Sequence, residues 1–310
     1  MSLTTAPDTL PRTTAARILD LLLAHHRTTD PSRATAEAFT HQLRRITDFV
    51  REGAPIVLTL PGFPCKSPNP AKTLGHLPDM GERLSLAFLD TLCAGIEEIH
   101  APGAQVVICS DGHVFGDLIR VPDQHIDAYA DELRALIRES DLRRLSLFDL
   151  RDVLGDLPHD ARRAHVHDRY APTPQALRAE VRTDAQTLAL YRGITRFLVE
   201  DTSGFTGSRS ALQRECRKRA YGVIQRSRAW GRLIADHHPR AVRLSIHPQP
   251  AGAAKFGIRL LDAPDVWTTP WHSVALREAD GGWTLMPHAR ARRLGRPVHR
   301  DGRPSHFERA

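Results

Sequence analysis

The chain has 310 residues, 41% of them hydrophobic and 25% charged, so it can bury a sizeable core, and no apolar run is long enough to cross a membrane. Its net charge of +7 invites comparison with nucleic-acid-binding proteins, but the arginines are spread along the chain, usually beside an Asp or Glu. No recognition-module signature accompanies them, which argues against a basic nucleic-acid-binding protein, kept as a third alternative, and favours small anionic substrates as the use of the excess charge.

Residues 14–26 and 34–51 read as two helices, the first with Ala16, Leu19, Leu22 and Leu23 on one side. The stretch at 18–24 contains Asp20 and runs into His25-His26-Arg27 rather than a small-residue cleavage site, so it reads as an amphipathic helix and not a signal peptide. A first strand follows at 55–60. The Pro-rich loop at 61–72 then holds Lys66 and Lys72, two of only four lysines among 43 basic residues. A compact ammonium retained in an arginine-dominated chain marks this loop as chemically distinct.

A helix near 80–100 repeats Leu84, Phe88, Leu92, Ile96 and Ile99 at spacings of four and three, and Pro102-Gly103 stops it. The unbroken apolar run at 105–109 suits a strand buried on both faces, ending in Ser110-Asp111-Gly112. A helix after Pro122-Asp123 turns Ile126, Tyr129, Leu133, Leu136 and Ile137 to the core, and 145–150 reads as another strand.

Residues 155–240 read as mostly helical. Within them His165, His167 and Asp168 have ligand chemistry but no completing Cys or His cluster, and read as a solvated loop. Strands return at 242–247, 256–261 and 273–277, the last paired with 283–286 across Asp280-Gly281-Gly282 as a hairpin. Cys65, Cys93, Cys109 and Cys216 lack paired spacing and read as reduced thiols of a cytoplasmic protein.

This pattern predicts an α/β fold: a Rossmann-like mixed sheet flanked by helices, with a smaller C-terminal strand-rich portion. Residues 1–52 form N-terminal helices on the core, 53–240 the main catalytic domain, and 241–310 the part that completes the active site. Neither G-x-G-x-x-G after a strand, nor G-x-x-x-x-G-K-[ST], G-x-S-x-G or H-E-x-x-H occurs, so the common nucleotide, serine-hydrolase and zinc-protease readings lose support.

What remains is a set of polar groups at strand ends, where open α/β sheets bind ligands. These are Lys66-Ser67 after the first strand, Asp111 after the second and His247 after Arg243-Leu244-Ser245-Ile246. Alternation puts Arg243, Ser245 and His247 on one face, which makes either a polar pocket or the exposed face of an edge strand. Lys255 precedes the next strand, and Thr268-Thr269-Pro270-Trp271-His272 forms an aromatic and imidazole turn.

Six segments together carry a resemblance: 63–70 (FPCKSPNP), 77–82 (LPDMGE), 110–117 (SDGHVFGD), 243–249 (RLSIHPQ), 255–258 (KFGI) and 269–272 (TPWH). In this order they resemble the pyoverdine/dityrosine biosynthesis family, whose bacterial members are isonitrile (isocyanide) synthases. Similarity covers roughly 55–135 and 240–307. The resemblance implies a lyase-type reaction in which the α-amino group of an amino acid, typically tyrosine or tryptophan, becomes an isonitrile with its carbon from C2 of ribulose 5-phosphate. It implies no metal and no organic cofactor, and a product handed to a separate tailoring oxygenase or decarboxylase.

On that basis Lys66, Ser67 and Lys255 are expected to hold the phosphate, and Arg243 the phosphate or the carboxylate. His247 and His272 are the expected general acid and base, and Asp111 orients the amine or takes its proton. Lys66 is also counted among the catalytic groups, and a Schiff-base lyase using Lys66 or Lys255 on a sugar phosphate is the alternative. Cys65 and Ser273 depart from the residues that would suit their positions.

Overall fold

The computed structural model describes residues 9–30 and 36–310. Helix α1 (Thr9–Leu23), a 3₁₀ turn at Ala36–Phe39 and helix α2 (Thr40–Glu52) precede β1 (Ile56–Pro61). The expected second helix thus splits into two pieces, and part of it, 34–35, lies outside the described residues. The chain continues through α3 (Met80–Ile99), β2 (Ala104–Cys109), α4 (Gly112–Ile119), α5 (Asp123–Glu139) and β3 (Leu145–Phe148).

Five helices follow: α6 (Leu150–Leu154), α7 (His159–Tyr170), α8 (Pro174–Thr183), α9 (Ala185–Asp201) and α10 (Arg209–His237). Then come β4 (Val242–Ser245), β5 (Phe256–Gly257), a 3₁₀ turn at Pro270–His272, β6 (Val274–Arg277), β7 (Trp283–Met286), α11 (His288–Leu294), β8 (Gly295–Arg300) and β9 (Arg303–Arg309).

The main sheet has the order β3-β2-β1-β4-β5 and every pairing is parallel. It is therefore a doubly wound sheet rather than the mixed one expected, and it reverses direction of growth between β1 and β4. Its central strands are continuous apolar runs because helices cover both faces: Leu58, Leu60, Val106, Ile108, Val242 and Leu244 are all fully buried. The mixed sheet is the second one, β7-β6-β9-β8, in which β6 and β9 are parallel and the outer pairs antiparallel.

Two strands expected in the C-terminal portion, β4 and β5, thus belong to the main sheet. The second sheet begins only at β6. The expected strand at 256–261 shrinks to two residues, because Gly257 lies under the turn after α1: a Cβ there would stand 2.2 Å from the carbonyl oxygen of Arg27. His165, His167 and Asp168 lie in α7 and not in a loop. A proline at its N-cap and twelve residues free of Gly or Pro let the segment wind, with Arg162, Arg163 and Val166 buried.

Helix α4 was not foreseen, since Asp111-Gly112 looks like a turn. Gly112 is what brings it close: a Cβ would sit 2.0 Å from the carbonyl oxygen of Pro64, so only glycine lets the start of α4 abut the loop after β1. That loop is itself strained. Phe63 is buried with φ of 52°, held by Ser110 Oγ donating to its carbonyl at 2.9 Å and by the Trp271 ring 5.2 Å away.

Candidate active site

The expected site residues divide into two sets. In the first, each polar group is fully engaged by protein. Lys66 is buried, and its Nζ lies 2.8 Å from Asp79 Oδ2, 2.7 Å from Glu82 Oε2 and 3.0 Å from the Pro270 carbonyl oxygen. An ammonium has three donors, and all three are used. Burial works to lower the Lys66 pKa, but the Asp79 and Glu82 carboxylates outweigh it and the net direction is upward. Asp79 and Glu82 also form the capping box of α3, and Tyr129 donates to Glu82 Oε1 at 3.1 Å. The triad therefore ties the β1 loop to the start of α3 and to the turn that carries His272.

Ser67 is engaged in the same way. Its hydroxyl donates to Asp201 Oδ1 at 2.5 Å, and Lys72 Nζ reaches that oxygen at 2.9 Å. Asp201, the last residue of α9, was not found by sequence reasoning; a buried acid at the end of a helix in an uninformative stretch gives no local signal.

In the second set the polar groups remain unengaged. Among the described residues, the side chains of Arg243, His247 and Lys255 form no hydrogen bond or ion pair, and Asp111 Oδ1 is buried without a hydrogen-bond partner. Asp111 follows β2 at the start of α4, Arg243 lies on β4, His247 lies just past it, and Lys255 immediately precedes β5. Asp111 and His247 lie past the carboxyl ends of β2 and β4, while Arg243 and Lys255 lie level with each other by the β4–β5 register, so the four stand on both sides of the point where sheet growth reverses.

These groups are close enough to shift one another. Burial pushes the Asp111 carboxyl up to about 7, against the pull of its own backbone N–H and of Lys255. Lys255 is lowered by burial and by Arg243, with Asp111 opposing. Arg243 is lowered by burial and by Arg45, and its guanidinium runs along α10 beside Gly231.

His247 is lowered to about 4 by burial, then by Arg27 and Lys255. The residue is nonetheless exposed to solvent. Arg27 is fixed behind it by donating to the carbonyls of Ile246 and Thr268, both at 2.6 Å.

His272 links the two sets. Burial lowers its pKa to about 4; Asp201 opposes, while Lys72, His247 and Lys66 add to the fall. Its Nδ1 lies 3.2 Å from Thr269 Oγ1, and its ring meets the Phe197 ring edge-on at 5.0 Å. Both histidines therefore rest as neutral imidazoles at neutral pH.

A separate cavity of about 750 Å³ lies beyond the β1 loop, between that loop and the second sheet, with Ser67, His76, His125, His288 and Arg292 on its walls. It touches the engaged set only; none of Asp111, Arg243, His247, Lys255 or His272 lines it. The unengaged polar groups, not this cavity, mark the candidate site.

A doubly wound sheet with cationic, imidazole and carboxylate groups converging at its strand ends defines an α/β enzyme. The chain belongs to the pyoverdine/dityrosine biosynthesis protein family, which it matches over residues 46–296.

It is 46% identical to an L-tyrosine isonitrile synthase of Pseudomonas aeruginosa across 97% of this chain and 95% of that one. It is 41% identical to the L-tryptophan isonitrile synthase AmbI2 of Fischerella ambigua across 86% and 81%. The crystal structure of the PvcA protein from Pseudomonas aeruginosa superposes with a TM-score of 0.87 at 45% identity, covering 95% of this chain and 99% of that one. Among the described residues, no helix is long and apolar enough to cross a membrane.

Proposed function

We propose that this enzyme is an isonitrile synthase, converting the α-amino group of L-tyrosine or L-tryptophan to an isonitrile with C2 of ribulose 5-phosphate as the added carbon. One observation carries the reading: Arg243, Lys255, His247 and Asp111 converge with their polar groups unengaged, in a chain whose relatives are named L-tyrosine and L-tryptophan isonitrile synthases. One substrate carries a phosphate and the other a carboxylate, and two unpaired cations beside two imidazoles suit both groups.

Amine attack on the C2 ketone needs a free amine, and Asp111, with its carboxyl near 7, takes the ammonium proton. Loss of the C2 hydroxyl as water needs an acid. A bound dianion raises the pKa of His247 and His272, so each takes up a proton that it then returns to the leaving oxygen. Arg243 and Lys255 stabilise the phosphate as it departs with the electron pair of its C–O bond; both carbon–carbon bonds to C2 must also break, C1 leaving as one fragment and C3–C5 as the other, and the imidazoles carry the protons that these cleavages need.

Lys66 and Ser67 act here as positioning residues rather than as the phosphate ligands expected, since their donors are already used. Trp267, 63% exposed and 6.4 Å from the His247 ring, offers a face for the substrate's aromatic side chain. The setting is cytoplasmic, and the product passes to an oxygenase or decarboxylase.

Incubation with ribulose 5-phosphate and a mixture of amino acids, followed by mass detection of trapped isonitrile, tests the reading. Isonitrile should form from one aromatic amino acid and only with the sugar phosphate present. Near-normal turnover in both His247→Ala and Lys255→Ala would put the chemistry elsewhere.

A Schiff-base lyase has one supporting observation, the lowered pKa of Lys255, which leaves a more nucleophilic amine. Lys66 lacks that feature. A borohydride-trapped sugar adduct on Lys255 would favour this second reading.

A further inference from the structure

We propose that Arg27 is a positioning residue for the isonitrile reaction, its guanidinium setting the gap between the segment that carries His247 and the segment that carries Trp267 and His272. What the two imidazoles do once positioned rests on the reading above.

Arg27 reaches the site from the N-terminal helices. After α1 the chain crosses to the edge of the main sheet, where His26 bridges Ile258 in antiparallel fashion and the Arg27 N–H donates to the Gly257 carbonyl at 2.9 Å. The N–H of Gln249, just past His247, donates in turn to the Arg27 carbonyl at 3.0 Å. The backbone is thus fixed beside β5, and the side chain is buried. Its Nη1 donates to the Ile246 carbonyl and its Nη2 to the Thr268 carbonyl, both at 2.6 Å. Ile246 immediately precedes His247, and Thr268 lies between Trp267 and the 3₁₀ turn that holds His272. A planar fork with two terminal nitrogens holds two carbonyls at a set separation, whereas an ammonium offers all its donors from one point.

The charge acts as well as the fork. Arg27 forms no ion pair among the described residues. Asp265, the acid that opposes the burial of this cation, is occupied within its own loop: Oδ1 accepts from the N–H groups of Trp267 and Thr268, and Oδ2 from the Thr268 hydroxyl. A buried cation without a counter-ion costs stability, so its place behind His247 calls for a role. His247 faces Arg27 from the N-terminal segment, Lys255 from the start of β5 and His272 from the 3₁₀ turn, with no carboxylate close enough to offset them. The field of Arg27 therefore favours the neutral ring until an anion binds.

Two variants separate the fork from the charge: Arg27→Met removes both, and Arg27→Lys keeps only the charge. With ¹³C-labelled histidine followed by NMR, His247 should titrate at about 4 in the wild type, move towards 6.5 in Arg27→Met and stay low in Arg27→Lys. The Trp267 indole N–H signal, assigned with Trp267→Phe, should shift in both variants, because its loop has lost the fork. The kcat for isonitrile formation should fall roughly ten- to a hundred-fold in both. The KM for ribulose 5-phosphate should hardly change, since Arg243 and Lys255 remain.

Unchanged His247 and Trp267 signals in Arg27→Met, or a wild-type kcat in Arg27→Lys, would overturn the role. A wild type that makes no isonitrile would sink the reaction reading instead, and the two NMR signals, which need no turnover, would still decide whether Arg27 sets this geometry. If Arg27→Met does not fold, Arg27→Lys decides alone: a shifted Trp267 signal with reduced kcat supports the role, and wild-type values of both overturn it.

Discussion

Ser67 and Asp201 are 134 residues apart in the chain, and the hydroxyl of one donates to the carboxylate of the other across 2.5 Å. Because Lys72 shares that oxygen, Asp201 is the post to which the helical middle of the chain moors the β1 loop. Asp201→Ala strands the two donors and removes the anion facing His272. Stability should fall by about 1–3 kcal/mol in urea denaturation. Activity should fall further than stability explains, by roughly ten-fold or more in kcat. A variant with unchanged kcat would show that the mooring does not matter to the site.

Lys66→Met should be among the most damaging single changes, because it leaves Asp79 and Glu82 buried without their cation. Breaking a buried ion pair from one side costs about 3–5 kcal/mol. Lys66→Arg should not rescue it, since a planar fork does not fit three acceptors arranged around a point charge. Denaturant midpoints of the two variants check this, and a loss below about 1 kcal/mol would mean that the triad relaxes or takes in water.

Arg243→Met and Lys255→Met should leave the fold intact, because neither side chain has a protein partner to lose among the described residues. A charge-assisted hydrogen bond contributes about 1.5–3 kcal/mol, so each variant should raise the KM for the sugar phosphate roughly ten- to a hundred-fold. Added salt should weaken phosphate binding in the wild type and less so in the variants. If only the amino-acid KM moves for Arg243→Met, that guanidinium holds the carboxylate instead.

His247 and His272 have folded pKa values of about 4, below the model-peptide value of 6.5. Their contribution to stability is present above pH 6.5 and is lost as the pH falls towards 4, because the unfolded chain binds protons first. Urea unfolding at several pH values in this window should show stability dropping with acid, with a shallower drop in the His247→Gln/His272→Gln double variant. Phosphate binding should be accompanied by proton uptake, seen as a buffer-dependent binding enthalpy. A buffer-independent enthalpy would place the anion away from both rings.

The sheet was legible where burial on both faces leaves an unmixed apolar run: 105–109 reads directly as β2, and 55–60 as β1. Helix α7 was not, because its residues 165–168 are polar enough to imitate a loop, and its buried arginines carry no hydrophobic period. Helix α4 hid behind an Asp-Gly pair whose side chain makes no capping bond. The positions of Asp111 after β2 and of His247 after β4 were legible from the apolar runs that precede them. That Lys66 is already satisfied was not, since Asp79 and Glu82 act on it through a loop that sequence spacing does not fold, and Pro270 reaches it from 204 residues away.

In the main sheet, β1 is flanked by β2 and β4, and β4 is made only after the long run of helices following β3. During synthesis one side of the innermost strand therefore stays open until residue 242 leaves the ribosome, while its partner on the other side is available far sooner. Such a chain has high contact order and folds late, as a whole, with an exposed strand edge in the interval. Expression yield should accordingly respond to chaperones and to translation speed across α6–α10 more than to changes in the early helices.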